Sequence, residues 1–149
     1  MDNTELKDFL YREIPLSEFM GINIIEASDL RVKITAPLGP SQNHLDTAFG
    51  GSIGAILILS CYAWLFHRLK ASGFECHVLI KEGKTDYIYP VKEELKAICL
   101  PPASAEYEKF FQSFQRKGLA KISLDAFLET SDGQAAKFTG VFVAQKSKL

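Results

Sequence analysis

Residues 53–66 form the longest apolar run in the chain, fourteen positions broken only by Gly54 and Ser60. A bilayer span needs about 20 apolar residues. The run therefore reads as a buried helix and not as a membrane anchor. Ile53, Ile56, Leu57, Leu59, Ala63, Trp64 and Phe66 leave no continuous polar stripe, and a helix without one must be covered nearly all round. The helix is predicted over residues 49–72. Its last turns, with His67, Arg68 and Lys70, lead toward solvent, where cations complement the negative end of the helix dipole.

The cover has to come from strands. Leu30, Val32 and Ile34 alternate with Arg31, Lys33 and Thr35, the pattern of a strand with one wet face. Ile22, Ile24 and Ile25 supply its hairpin partner, with Asp29 in the connecting turn. Residues 75–89 and 93–100 are two further strands joined near Pro90. Ile122, Leu124, Ala126 and Leu128 alternate with Lys121, Ser123, Asp125 and Phe127, and the turn Ser131-Asp132-Gly133 folds that strand onto residues 135–145 as a hairpin. Two amphipathic helices complete the order. Leu6, Phe9 and Leu10 mark one over residues 4–13, ended by Pro15, and residues 16–20 add a further turn before Gly21. Tyr107, Phe110, Phe111 and Phe114 mark the other over residues 103–117, stopped by Gly118. One long apolar helix with several antiparallel strands is best satisfied by a sheet curling around that helix, an α+β arrangement in one domain over residues 1–149.

Composition narrows the function. The 149 residues carry 17 Lys plus Arg against 18 Asp plus Glu, a formal charge of −1, which lacks the basic excess of a nucleic-acid binder. Cys61, Cys76 and Cys99 form an odd set with no C-x-x-C spacing, fitting neither a disulfide framework nor a zinc knuckle. A cytoplasmic location follows as the simplest expectation, since the N-terminus is acidic where an export signal would be basic. No metal or redox cofactor is expected.

The chemistry concentrates where loop becomes helix. At Phe49-Gly50-Gly51-Ser52 the free N–H groups and positive dipole end of the helix face the preceding loop, and glycine leaves room for a substrate carbonyl to reach them. The plainer reading is that the glycines let the helix start pack tightly. Asn43, His44 and Asp46 precede this point: a carboxylate can activate water or attack, an imidazole can move protons, an amide can orient water. Asp46 could equally cap the helix. Ser60 either faces a pocket or bonds back to its own helix.

Two motifs are decoys. Gly50-Gly51-Ser52-Ile53-Gly54 matches G-x-S-x-G, but that elbow needs a preceding strand followed later by an acid and then a histidine. Only His67 and His77 follow Ser52, with Glu75 the one acid before His77. Gly83-Lys84-Thr85 lacks the leading glycine of a phosphate loop, since Val78 stands there.

The stretch IPLSEFMG, the APL-x-P loop with Asn43, the DTAFGGS segment opening the long helix, and TDYIYPV on a strand together resemble the hotdog-fold thioesterase superfamily. Within it the chain is most similar to the thioesterase domain that some bacterial proteins carry behind an acetyltransferase domain. The resemblance spans residues 14–146. It implies a curved antiparallel sheet wrapped around the central helix, a homo-oligomer (dimer or tetramer) with sites at the subunit interface, and hydrolysis of an acyl-CoA or acyl-carrier thioester. By the same resemblance the carbonyl binds the Gly51 N–H and Asn43 helps place water or carbonyl. Many relatives carry an acid about two turns into the helix, where this chain has Ile58, Leu59 and Ser60; Asp46 or a residue of the second subunit would have to replace it, or else hydrolysis is slow or absent. We expect Asn43, Asp46 and Gly51 to be catalytic, and His44, Phe49, Gly50, Ser52 and Ser60 to bind substrate. The missing helix acid leaves a second reading, a non-catalytic module that binds acyl thioesters or lipids. A hotdog dehydratase would need a histidine pattern that the helix and loop lack.

Overall fold

The computed structural model describes residues 1–147. Helix α1 (Asn3–Glu13) begins at a reciprocal cap: Asp2 accepts the Glu5 N–H at 2.8 Å while Glu5 accepts that of Asp2 at 2.9 Å. Its Leu6 and Leu10, one turn apart, are fully buried. Pro15, which cannot continue α1, opens α2 (Pro15–Met20), and Gly21 at φ +70° closes it.

Six strands form one antiparallel sheet in the order β1-β2-β4-β5-β6-β3. They are β1 (Asn23–Ala27), β2 (Val32–Ala36), β3 (Cys76–Tyr87), β4 (Leu95–Leu100), β5 (Leu119–Thr130) and β6 (Gly133–Lys146). The long helix α3 (Gly50–Ala71) touches every one of them, so the sheet wraps it as the sequence predicted. This is the hotdog fold. At 22 residues α3 is long and apolar enough to cross a bilayer, but here half of its residues are buried inside the protein. α1 covers one remaining flank, where Phe9 stacks on Phe66 at 4.1 Å.

β3 and β4 follow one another in sequence yet lie at different places in the sheet. β3 pairs only with β6 and stands at an edge, whereas β4 lies between β2 and β5. The predicted strand is corrected on both faces: Leu30 lies in the turn before β2 and is exposed, while Lys33 is half-buried beside Glu129 and Thr35 is buried. β2 is an interior strand flanked by β1 and β4, and Lys33 reaches Glu129 of β5 at 3.4 Å.

Helix α4 (Ser104–Lys117) packs at the C-terminal end of α3. Tyr107 meets Trp64 edge-on at 5.6 Å, and Phe74 meets Phe111 and Phe114. The β1–β2 turn closes the same end, where Asp29 accepts from Trp64 Nε1 at 3.3 Å and pairs with Arg68 at 2.8 Å. Arg68 in turn lies 4.6 Å from the Tyr107 ring. The α3 N-terminus lies at the other end, about 27 Å from Arg68 along the helix at 1.5 Å per residue.

Candidate active site at the start of the central helix

The segment from Ser41 to Phe49 is a tight loop closed on itself. Phe49 N–H donates to the Ser41 carbonyl and Asn43 N–H to the Thr47 carbonyl, both at 2.7 Å, with an isolated bridge between Gln42 and Ala48. Asn43 is its organising side chain. Its Oδ1 accepts from the N–H groups of Leu45 (2.9 Å) and Thr47 (3.2 Å), and its Nδ2 donates to Thr47 Oγ1 at 2.9 Å. His44, Leu45 and Asp46 form the exposed tip. Asp46 adopts φ +59°, a left-handed conformation that Asp tolerates better than most residues.

The link between β3 and β4 docks onto this loop. Ala48 N–H donates to the Val91 carbonyl at 2.8 Å, and Tyr87 Oη donates to the Gly50 carbonyl at 3.0 Å. The same link is held from behind, because the Ile88 and Tyr89 N–H groups both donate to the Ala135 carbonyl. DTAFGGS and TDYIYPV, far apart in sequence, thus form one corner of the molecule.

α3 starts at Phe49 with no side-chain cap. The N–H groups of Ser52 and Ile53 turn back to the Phe49 carbonyl at 2.9 and 3.1 Å, whereas those of Gly50 and Gly51 have no acceptor among the described residues. These two donors lie at the positive end of a 22-residue helix dipole. Gly51 is exposed, and the space beside its Cα holds the Phe49 ring: a Cβ built there would lie 2.5 Å from Phe49 Cε2. The missing side chain therefore admits the protein's own aromatic ring, a use the sequence did not reveal.

The structure brings Asn43, His44, Asp46, Phe49, Gly50, Gly51 and Ser52 together at this corner. Asp46 does not cap the helix, since no backbone N–H donates to its carboxylate among the described residues. The placing of Ser60 facing a pocket is corrected: it is fully buried and its Oγ donates to the Leu57 carbonyl at 2.7 Å, leaving no free proton for a ligand. Ile58 and Leu59 beside it supply no acid. Tyr87 is the site residue that sequence reasoning missed. Its motif was visible, but not its reach across 37 positions to Gly50.

Two clefts of about 640 and 660 Å³ lie elsewhere, both bordered by α4, and neither is lined by a predicted site residue. The corner itself is open and apolar. Leu45, Phe49, Tyr87 and Ile88 are all more than half exposed there. The cysteines take no part: all three are free and buried, and burial holds the Cys61 thiol well above its ordinary value and pushes Cys76 up to about 11. No cluster of metal-ligating side chains occurs among the described residues.

A family model described as "Putative thioesterase (yiiD_Cterm)" matches residues 3–146. The chain belongs to this YiiD_C family. A protein of unknown function from Chlorobaculum tepidum is 32% identical to this YiiD_C chain, with a TM-score of 0.91 over 97% of this chain and 94% of its own. A Shewanella oneidensis protein named "putative thioesterase" has a TM-score of 0.86 at 24% identity, over 96% of both chains. A thioesterase from Pseudomonas aeruginosa, solved as a point mutant, has a TM-score of 0.75 at 10% identity, over 99% of this chain and 96% of its own. The last two share the fold. Within the YiiD_C chain the matched region contains the whole corner built by the Ser41–Phe49 loop, Tyr87 and the start of α3.

Proposed function

We propose that this chain hydrolyses an acyl-CoA or acyl-carrier thioester, with the Gly51 N–H as the donor that stabilises the oxyanion. The observation that carries the reading is the pair of amides at the start of α3, in an exposed corner, that find no acceptor among the described residues. Water adds to the thioester carbonyl carbon, the carbonyl oxygen takes up the negative charge beside Gly51, and collapse of that adduct expels the thiolate and leaves the carboxylic acid. Asp46 is the group we assign to take the proton from water. Asn43 shapes the loop and orients water or carbonyl. His44, Phe49, Gly50 and Ser52 contact the substrate around the thioester.

A second copy of the chain completes the site in this proposal. β3 is a 12-residue edge strand, and an edge presents unpaired backbone groups to a partner. Leu79 and Ile80 on it are exposed. A cytoplasmic setting accords with three free thiols.

Release of free thiol from acyl-CoAs of graded chain length tests the hydrolase reading, which predicts turnover with a preferred length. The absence of an acid at Ile58, Leu59 and Ser60 favours the non-catalytic binding module as the second reading. That reading wins if acyl-CoA raises the melting temperature while no thiol is released.

A further inference from the structure

The peptide unit joining Gly50 to Gly51 has the N–H assigned above as oxyanion donor at one end and the Gly50 carbonyl at the other. Tyr87 Oη donates to that carbonyl at 3.0 Å. We propose that Tyr87 is a positioning residue for thioester hydrolysis, fixing and polarising the Gly50–Gly51 peptide so that the Gly51 N–H is held in place and made a stronger donor. The proposal rests on the reading of Gly51 as the oxyanion donor.

Three observations carry it. First, α3 opens without a side-chain cap and on two glycines, the residue with the widest backbone freedom, so its first turn needs an external restraint. Second, Tyr87 is itself well fixed. It pairs with Ala136 at the end of β3, and the next two N–H groups both donate to Ala135. Its ring lies along the helix start, 3.5 Å from where a Cβ of Gly50 would be, with the hydroxyl 3.7 Å from that of Gly54. Third, Tyr87 is 57% exposed, so water competes for its hydroxyl and the bond adds little to folding. Its value lies in geometry and polarisation: a proton donated to an amide oxygen draws electron density from the nitrogen and strengthens the N–H at the far end, by roughly 10–30% per bond. The chain of contacts runs from the Tyr87 hydroxyl through the Gly50 carbonyl and the Gly51 N–H to the developing oxyanion.

The test compares wild type with Tyr87→Phe, which keeps the ring and removes the hydroxyl. Tyr89→Phe serves as control, since it removes the 2.6 Å contact with Thr130 at the same end of the molecule. With acyl-CoA substrates, Tyr87→Phe should lower kcat about three- to tenfold while KM stays within about twofold, because the lost interaction strengthens only as charge develops. Tyr89→Phe should leave kcat unchanged. Independently of turnover, the Gly51 amide nitrogen resonance of the ¹⁵N-labelled protein should move upfield in Tyr87→Phe and stay in place in Tyr89→Phe. Wild-type turnover with an unchanged kcat in Tyr87→Phe overturns the proposal and leaves the hydrolase reading standing. If wild type releases thiol from no acyl-CoA or acyl-carrier substrate, the hydrolase reading fails and the proposal falls with it.

Discussion

Replacing Gly51 by alanine separates the folding role of the glycine from its chemical role. The new Cβ would lie 2.5 Å from Phe49 Cε2, 3.1 Å from Cδ2 and 3.4 Å from Cζ, so the Phe49 ring must swing aside. That ring is 58% exposed, and moving it forfeits little burial. Alanine is favoured over glycine by up to about 1 kcal/mol within a helix, and by less in the first turn. The two effects oppose, and the unfolding free energy should stay within about 1 kcal/mol of wild type. The reaction should suffer far more. The amide remains, but the methyl group and the displaced ring occupy the approach to it, and losing one oxyanion donor costs about 2.7–4 kcal/mol, or 10²–10³ in kcat. Thiol-release kinetics alongside urea denaturation measure both quantities on one preparation. A variant as stable as wild type and within about threefold of its activity would refute the chemical half of the reasoning, because tenfold corresponds to only about 1.4 kcal/mol. A loss of more than about 3 kcal/mol in stability would refute the packing half, since overpacking of that size belongs to a ring that cannot yield.

Asp46→Asn should leave the melting temperature unchanged, because asparagine also tolerates the φ of +59° found there. If Asp46 takes the proton from water, kcat should fall by about 10²-fold or more, and an unchanged kcat removes that role. Arg68→Ala breaks the 2.8 Å pair with Asp29 and the contact with the Tyr107 ring. Because the pair is partly exposed, denaturation should show a loss of only about 1–2 kcal/mol, with thiol release unaffected at the far end of α3. Burial holds His67 below its ordinary value, and its Nδ1 is enclosed with no partner among the described residues. The unfolded chain then binds the proton more readily, so this contribution is full above about pH 6.5 and declines as pH falls through the lower folded value. Melting temperatures across that window should drop more steeply on acidification for wild type than for His67→Gln, and equal slopes would remove the assignment.

What the sequence disclosed and what it hid divide along a physical line. Periodicity located α3 to within a residue at each end, placed Leu6 and Leu10 inside, and matched the turn at Ser131 to its hairpin, because these depend on residues close together in the chain. It also put Asn43, Asp46 and Gly51 in one short stretch, which the tight loop keeps together. It could not show that Phe49 turns its ring over Gly51, which is a choice of rotamer, nor that Asp46 leaves the helix start uncapped. The burial of Thr35 was equally hidden, since it depends on strands that join β2 from elsewhere in the chain. Tyr87 stayed hidden longest: its partner is set by the route of β3 along the sheet edge and by the anchoring of the following link on Ala135, both matters of tertiary pairing.

The most direct measurement is a crystal structure with a non-hydrolysable acyl-thioester analogue bound. The account predicts its carbonyl oxygen about 2.7–3.1 Å from the Gly51 nitrogen, with Tyr87 still bonded to the Gly50 carbonyl. An analogue bound with its carbonyl away from the start of α3, and the Gly51 amide still facing solvent, would contradict it.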